Sequence, residues 1–89
     1  MNIELLLFAS LRERLGLRGE RISLPADVDT VATLRQYLAG RGGAWAEAFL
    51  PPHTGRDMLR VAVDQQLACP ETPLREGAEV AFFPPVTGG

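Results

Sequence analysis

The chain has 89 residues, 46% hydrophobic and 22% charged, with a formal net charge of −2. That is room for one domain just below the usual size of about 100–150 residues, which excludes a two-domain enzyme and argues against disorder. The acidic balance removes the broad basic field that phosphate contacts need, so nucleic acid is not an expected partner. In chain order, Ile3 to Phe8 is nearly all apolar and reads as a strand buried on both faces in the middle of a sheet. Ser10 is expected to cap a short helical turn through about Leu15, with Gly16 as its stop. Arg21 to Leu24 alternates polar and apolar before Pro25, the pattern of a half-buried outer strand that pairs with the first.

Val31, Leu34 and Leu38 recur at helical spacing, which predicts the main helix from Thr30 to about Ala39, with Asp29 or Thr30 as N-cap and Gly40 just past the end. Gly42 to Asp57 contains Pro51, Pro52 and Gly55 and is expected to be a surface excursion with a short turn around Trp45 and Phe49. Leu59, Val61 and Val63 alternate with Arg60, Ala62 and Asp64 as a third strand, with Gln65 and Gln66 in the turn that follows. Leu67 and Ala68 suit a brief edge strand, Arg75 to Gly77 a turn, and Val80 to Phe83 the last strand. A sheet with its one long helix on a single face is an α+β arrangement.

After Phe83 the sequence runs Pro84, Pro85, Val86, Thr87, Gly88, Gly89. The expected division is therefore a folded domain over 1–83 and an extended tail over 84–89. Two consecutive prolines lack amide hydrogens and fix φ, so the strand stops and the chain leaves as a stiff spacer. The last four residues extend about 13 Å beyond Pro85 at about 3.3 Å per residue, enough to enter a neighbour's active site. The paired glycines let a narrow channel close around the backbone and leave the carboxyl carbon open to attack from either face. A terminal carboxylate, with a pKa of about 3.5, is an anion near neutral pH and a poor electrophile. It needs activation, usually adenylation by an ATP-using partner, before a nucleophile forms an ester, thioester, amide or thiocarboxylate. This chain has no phosphate-cradling loop, so the activating activity is expected from another protein.

The run Val80 to Gly89, together with Leu7, Phe8, Ala9, Leu11, Arg12 and Glu13 near the start, resembles the small, sulfur-carrying subunits of molybdopterin synthase. The resemblance extends to Val31 to Leu38 and Ala62 to Gln65 and so covers most of the chain. It implies a ubiquitin-like β-grasp fold: a mixed sheet of about five strands, one main helix packed on one face, and a flexible Gly-Gly tail. It further implies that the carboxylate of Gly89 is adenylated by an enzyme related to ubiquitin-activating enzymes, then converted to a thiocarboxylate by a sulfur donor protein. The tail, Pro84 to Gly88 with Gly89 at its tip, would enter the large synthase subunit and pass sulfur to cyclic pyranopterin monophosphate, within a heterotetramer. By matching positions, Phe8, Leu67 and Phe83, with Arg12 nearby, form the patch that partners grip. The alternative for Phe8 and Phe83 is that they are core.

Other residues carry weaker signals. Cys69 has no second thiol for a disulfide and no adjacent cation to lower its pKa, so a small buried or loop cysteine is expected. His53 has no carboxylate at a motif spacing and reads as a solvated loop histidine. With one cysteine and one histidine, no metal site and no intrinsically bound cofactor are expected. Arg12, Arg14, Arg18 and Arg21 form a basic cluster able to steer an acidic partner. All nine basic residues are arginine, so no side chain offers a primary amine. The longest apolar run, Leu5 to Ala9, is too short to cross a bilayer and lacks the basic start of a secretion signal, so a cytoplasmic protein without membrane contact is expected. The chain is expected to be non-catalytic alone. The rival functions are a sulfur carrier for thiamine or tRNA thiolation and a ubiquitin-like binding or tagging module without sulfur chemistry.

Overall fold

The computed structural model describes residues 1–52 and 55–84. His53 and the tail from Pro85 to Gly89 lie outside the described residues. The first apolar run forms β1, Asn2–Leu7, with Ile3, Leu5 and Leu7 buried and Glu4 and Leu6 half-buried on the other face. Phe8 lies just past the strand. The chain then turns at Ala9 into a short helix, α1, Ser10–Leu15, which Gly16 ends in the left-handed conformation at φ 77°. Here the expected serine cap is corrected: Ala9 occupies the N-cap position at φ 53° and no side chain caps the helix. The turn is held by backbone bonds instead, Leu11 N–H to Phe8 O at 3.1 Å and Phe8 N–H to Phe82 O at 3.3 Å, which leave Ser10 already inside the helix.

The outer strand β2, Gly19–Ser23, pairs antiparallel with β1 in the register Ile3–Ile22 and Leu6–Gly19, as the alternation predicts. Glycine is needed at the start of that strand because a Cβ at position 19 would overlap the carbonyl oxygen of Leu5. The main helix α2, Val31–Ala39, begins at Thr30, whose hydroxyl accepts from Thr33 N–H at 3.2 Å while Thr33 Oγ1 accepts from Thr30 N–H at 3.0 Å. That reciprocal capping selects Thr30 over Asp29. Val31, Leu34 and Leu38 face the sheet and are buried.

The segment expected to be a surface excursion contains a second core helix, α3, Gly43–Phe49. Phe49 is fully buried, stacks on Trp45 at 5.7 Å and meets the edge of Phe82 at 5.0 Å and 86°. The correction has a packing cause: α2 spans only nine residues, and Phe49 fills the space above the sheet that α2 leaves uncovered. The following stretch is fastened by Arg35 of α2, which donates to the Phe49 carbonyl and forms a bidentate pair with Asp57 at 2.5 and 2.9 Å.

The third strand β3, Arg60–Val63, turns through Asp64 and Gln65, at φ 51° and 69°, into β4, Gln66–Leu67. Gln66 thus belongs to the edge strand rather than to the turn, because it pairs with Val63. The last strand β5, Glu79–Phe83, inserts between β1 and β3, parallel to the first and antiparallel to the second, giving the order β2-β1-β5-β3-β4. The five-stranded mixed sheet with helices on one face is the expected β-grasp, with two short helices added to the main one. Among the described residues no helix is long and apolar enough to cross a membrane.

Two tests follow from this packing. Phe49→Ala removes a fully buried ring and is expected to cost about 3–5 kcal/mol, read as a lower urea midpoint at unchanged slope. The hydrogen bond from Arg35 holds the Asp57 carboxyl below its ordinary value of 3.8, against a smaller opposing effect of burial. A depressed folded-state pKa stabilises above the unfolded pKa and is lost as pH falls through the folded one. Melting temperatures between pH 7 and pH 2.5 should therefore drop less in Asp57→Asn than in the unaltered chain; equal drops would remove Asp57 from acid unfolding.

Candidate interaction site at the root of the tail

Side chains alternate along a strand, so a single register assigns each residue of the sheet to one face. On β5, Val80 and Phe82 are buried under the helices, while Ala81 and Phe83 turn to the other face and are half-buried. The pairings Leu6–Ala81, Ala81–Ala62 and Ala62–Leu67 carry that outer row across four strands. Leu67 ends it on β4 and is 80% exposed. Two residues further along β5, Phe83 faces Arg60. Phe8 continues the outer row of β1 and is 40% exposed.

The outer face is thus divided. Towards the end from which Pro84 leaves, it is apolar apart from the exposed Arg60 opposite Phe83: Leu6, Phe8, Ala62, Leu67, Ala81 and Phe83. Towards the other end it is charged, with Glu4 and Glu79 adjacent in register and Arg21 paired to Glu4 at 2.7 Å. A contiguous apolar area flanked by charge is the anatomy of a protein-binding surface rather than of a catalytic pocket.

Phe8 is held in place from two sides. Its N–H donates to Phe82, and the Arg12 guanidinium lies 5.7 Å from the ring centroid while Arg12 Nε donates to Leu7 O at 3.3 Å. The arginine therefore keeps an exposed aromatic ring ordered, a contact worth about 0.5–1 kcal/mol where water has access. Pro84, half-buried, sits at the mouth of a shallow depression shared with Ser10, Leu11, Arg14 and Met58. Pro84 thus lies between α1 and the segment before β3.

Phe8, Leu67 and Phe83, predicted together from the resemblance, lie on one face, with Arg12 at its end. The core alternative does not hold for Phe8 and Phe83; the buried aromatic of that strand is Phe82. Leu6, Ala62 and Ala81, the floor between them, were not singled out from sequence, although the alternation of their strands carries the signal. Cys69 is exposed, with its N–H donating to Thr72 Oγ1 at 3.0 Å and its sulfur 3.4 Å from the same hydroxyl. Of the basic cluster, Arg12 is committed to Phe8 and Arg21 to Glu4, while Arg14 and Arg18 are exposed. A groove of about 640 Å³ between α2 and β3, lined by Val31, Phe49, Leu59 and Val61, reaches the sheet edge at Arg60 and Leu67; its charged pair, Arg35 and Asp57, is already satisfied. Nothing in that groove pairs a nucleophile with a base.

The sequence and the fold both recur in known proteins. The molybdopterin synthase sulfur carrier subunit of Escherichia coli K12 is 44% identical over 87 residues, 98% of this chain and 99% of that protein. The crystal structure of SAMP1 from Haloferax volcanii superposes with a TM-score of 0.79 at 30% identity, covering 100% of both chains. The complex of subunits 1 and 2 of the molybdopterin-converting factor from Helicobacter pylori contains a chain that matches at a TM-score of 0.66 and 23% identity, again over 100% of both, a likeness of fold. The profile of the ThiS family matches residues 5–89, and with the relatives above it shows that this chain belongs to the ThiS family.

Proposed function

We propose that this chain is a sulfur carrier and the small subunit of a molybdopterin synthase, working in the cytoplasm. The observation that carries the reading is the placement of the residues that lead into the Gly-Gly end: Val80 to Phe83 lie in the central strand β5, and Pro84 follows beside the apolar end of the outer face. The name of the Escherichia coli relative, alike over almost the whole of both chains, supports it.

In this reading Gly89 is the reacting residue. Its carboxylate attacks the α-phosphate of ATP in the active site of an adenylating partner, releasing pyrophosphate. A sulfur donor protein then delivers sulfur at the sulfide level, which attacks the acyl carbon; the C–O bond breaks, AMP leaves with the electron pair, and a thiocarboxylate remains. Pro84 to Gly88 carry that group into the large synthase subunit, where the sulfur is transferred to cyclic pyranopterin monophosphate during molybdenum cofactor biosynthesis. Phe8, Leu67 and Phe83 seat the partner, with Arg12 fixing Phe8. ATP belongs to the partner, and the domain needs no bound cofactor of its own. The heterotetramer of two small and two large subunits is the assembly that the resemblance implies.

The likeness to SAMP1 favours a second reading, a ubiquitin-like tag joined to amines rather than loaded with sulfur. Intact-mass measurement separates the two. With the adenylating enzyme, ATP and a sulfur donor, one C-terminal oxygen is expected to be replaced by sulfur, and deletion of Gly89 should abolish that change while leaving the melting temperature nearly untouched. An unchanged mass in the complete mixture would sink the carrier reading. Leu67→Asp is expected to weaken binding of the large subunit by at least about tenfold, with stability altered by no more than about 0.5 kcal/mol because the side chain is exposed. Titration calorimetry checks the first figure and urea unfolding the second; undiminished binding would take Leu67 out of the interface.

A further inference from the structure

Among the described residues the cations around the root of the tail are guanidinium groups. Arg14, exposed on α1, borders the depression that holds Pro84; Arg60, exposed on β3, stands opposite Phe83; Arg12 lies over Phe8. Lysine is absent from the whole sequence. The α-amine of Met1 donates to Leu24 O at 3.2 Å, at the far end of β1. The six residues of β1 place it about 20 Å from the root of the tail, whereas the stretch from Pro85 to Gly89 extends no more than about 17 Å.

We propose that this arginine-only collar spares the activated tail from amide formation within its own carrier, so that an amide at Gly89 forms only with amines that partners supply. The inference rests on the reading that Gly89 is activated. An acyl adenylate or thioester is attacked by an unprotonated amine: a C–N bond forms, the C–O or C–S bond breaks, AMP or thiolate leaves with the electron pair, and the ammonium proton passes to water. A lysine amine, about 0.4% unprotonated at pH 8, becomes an effective acceptor when a short tether holds it near the acyl carbon at millimolar effective concentration. A guanidinium stays protonated and has no free lone pair to offer. Arginine at positions 12, 14 and 60 thus keeps positive charge at the root of the tail without placing an amine within its reach.

The full chain, prepared as a C-terminal thioester by intein cleavage and held dilute at pH 8, tests this by intact mass. The unaltered chain is expected to decay only to the free acid. Arg14→Lys is expected to give at least about tenfold more of a product lighter than the acid by one water, the internal amide, with a proteolytic map joining position 14 to Gly89. Arg60→Lys, on the other flank, serves equally should the first variant not fold. Internal amide or copy-to-copy adducts from the unaltered chain, or folded lysine variants that only hydrolyse, would overturn the proposal. The thioester is made without an activating enzyme, so this result is independent of whether the chain accepts sulfur.

Discussion

The parallel pairing of β1 with β5 organises everything else in this molecule. Leu5 with Val80 and Leu7 with Phe82 sit side by side at the centre of the sheet, buried beneath the helices. Because the two strands run in the same direction, the end of β5 emerges where β1 hands over to Phe8 and α1. That single register sets the aromatic pair Phe8 and Phe83 at one end of the outer face, and it sends Pro84 out beside them. The charged residues Glu4 and Glu79 are carried to the opposite end by the same pairing.

The strand that carries the tail also divides the protein's two tasks between its faces. Val80 and Phe82 anchor the core, and Phe82 meets Phe49 edge-on. Ala81 and Phe83 contribute to the open surface. A ring buried beside a ring half-buried on the other face, on adjacent residues, ties the position of the apolar outer surface to the integrity of the core: β5 cannot shift by one residue without exchanging the two faces.

Much of this was legible in the sequence because the signals were local. The apolar run of β1, the period of Val31, Leu34 and Leu38, and the alternation of β3 each depend on neighbours in the chain. The largest misreading came from tertiary contacts. Phe49 lies in a segment punctuated by Pro51, Pro52 and Gly55, and only the uncovered floor of the sheet explains why it is buried. Asp64 and Gln65 take positive φ without the usual glycine or asparagine because the turn is tied from outside: Asp64 accepts from Glu79 N–H at 3.0 Å and from Arg75 at 3.3 Å. The apolar patch was placed by resemblance for Phe8, Leu67 and Phe83, while its floor of Leu6, Ala62 and Ala81 required the register. Composition says nothing about which of two consecutive phenylalanines points inward; the strand's phase decides it.

The central pairing joins residues 75 positions apart, Leu5 and Val80. Local hairpins such as β3–β4 form early and cheaply, whereas closing so long a loop delays the middle of the sheet, the pattern of a high-contact-order fold. While the polypeptide is being synthesised, β1 can pair with β2 on one side only, and its other edge, with Leu5 and Leu7 beside it, stays open until β5 arrives. An unpaired apolar edge of that kind invites intermolecular pairing. The nascent form of this carrier is therefore the one most in need of a chaperone.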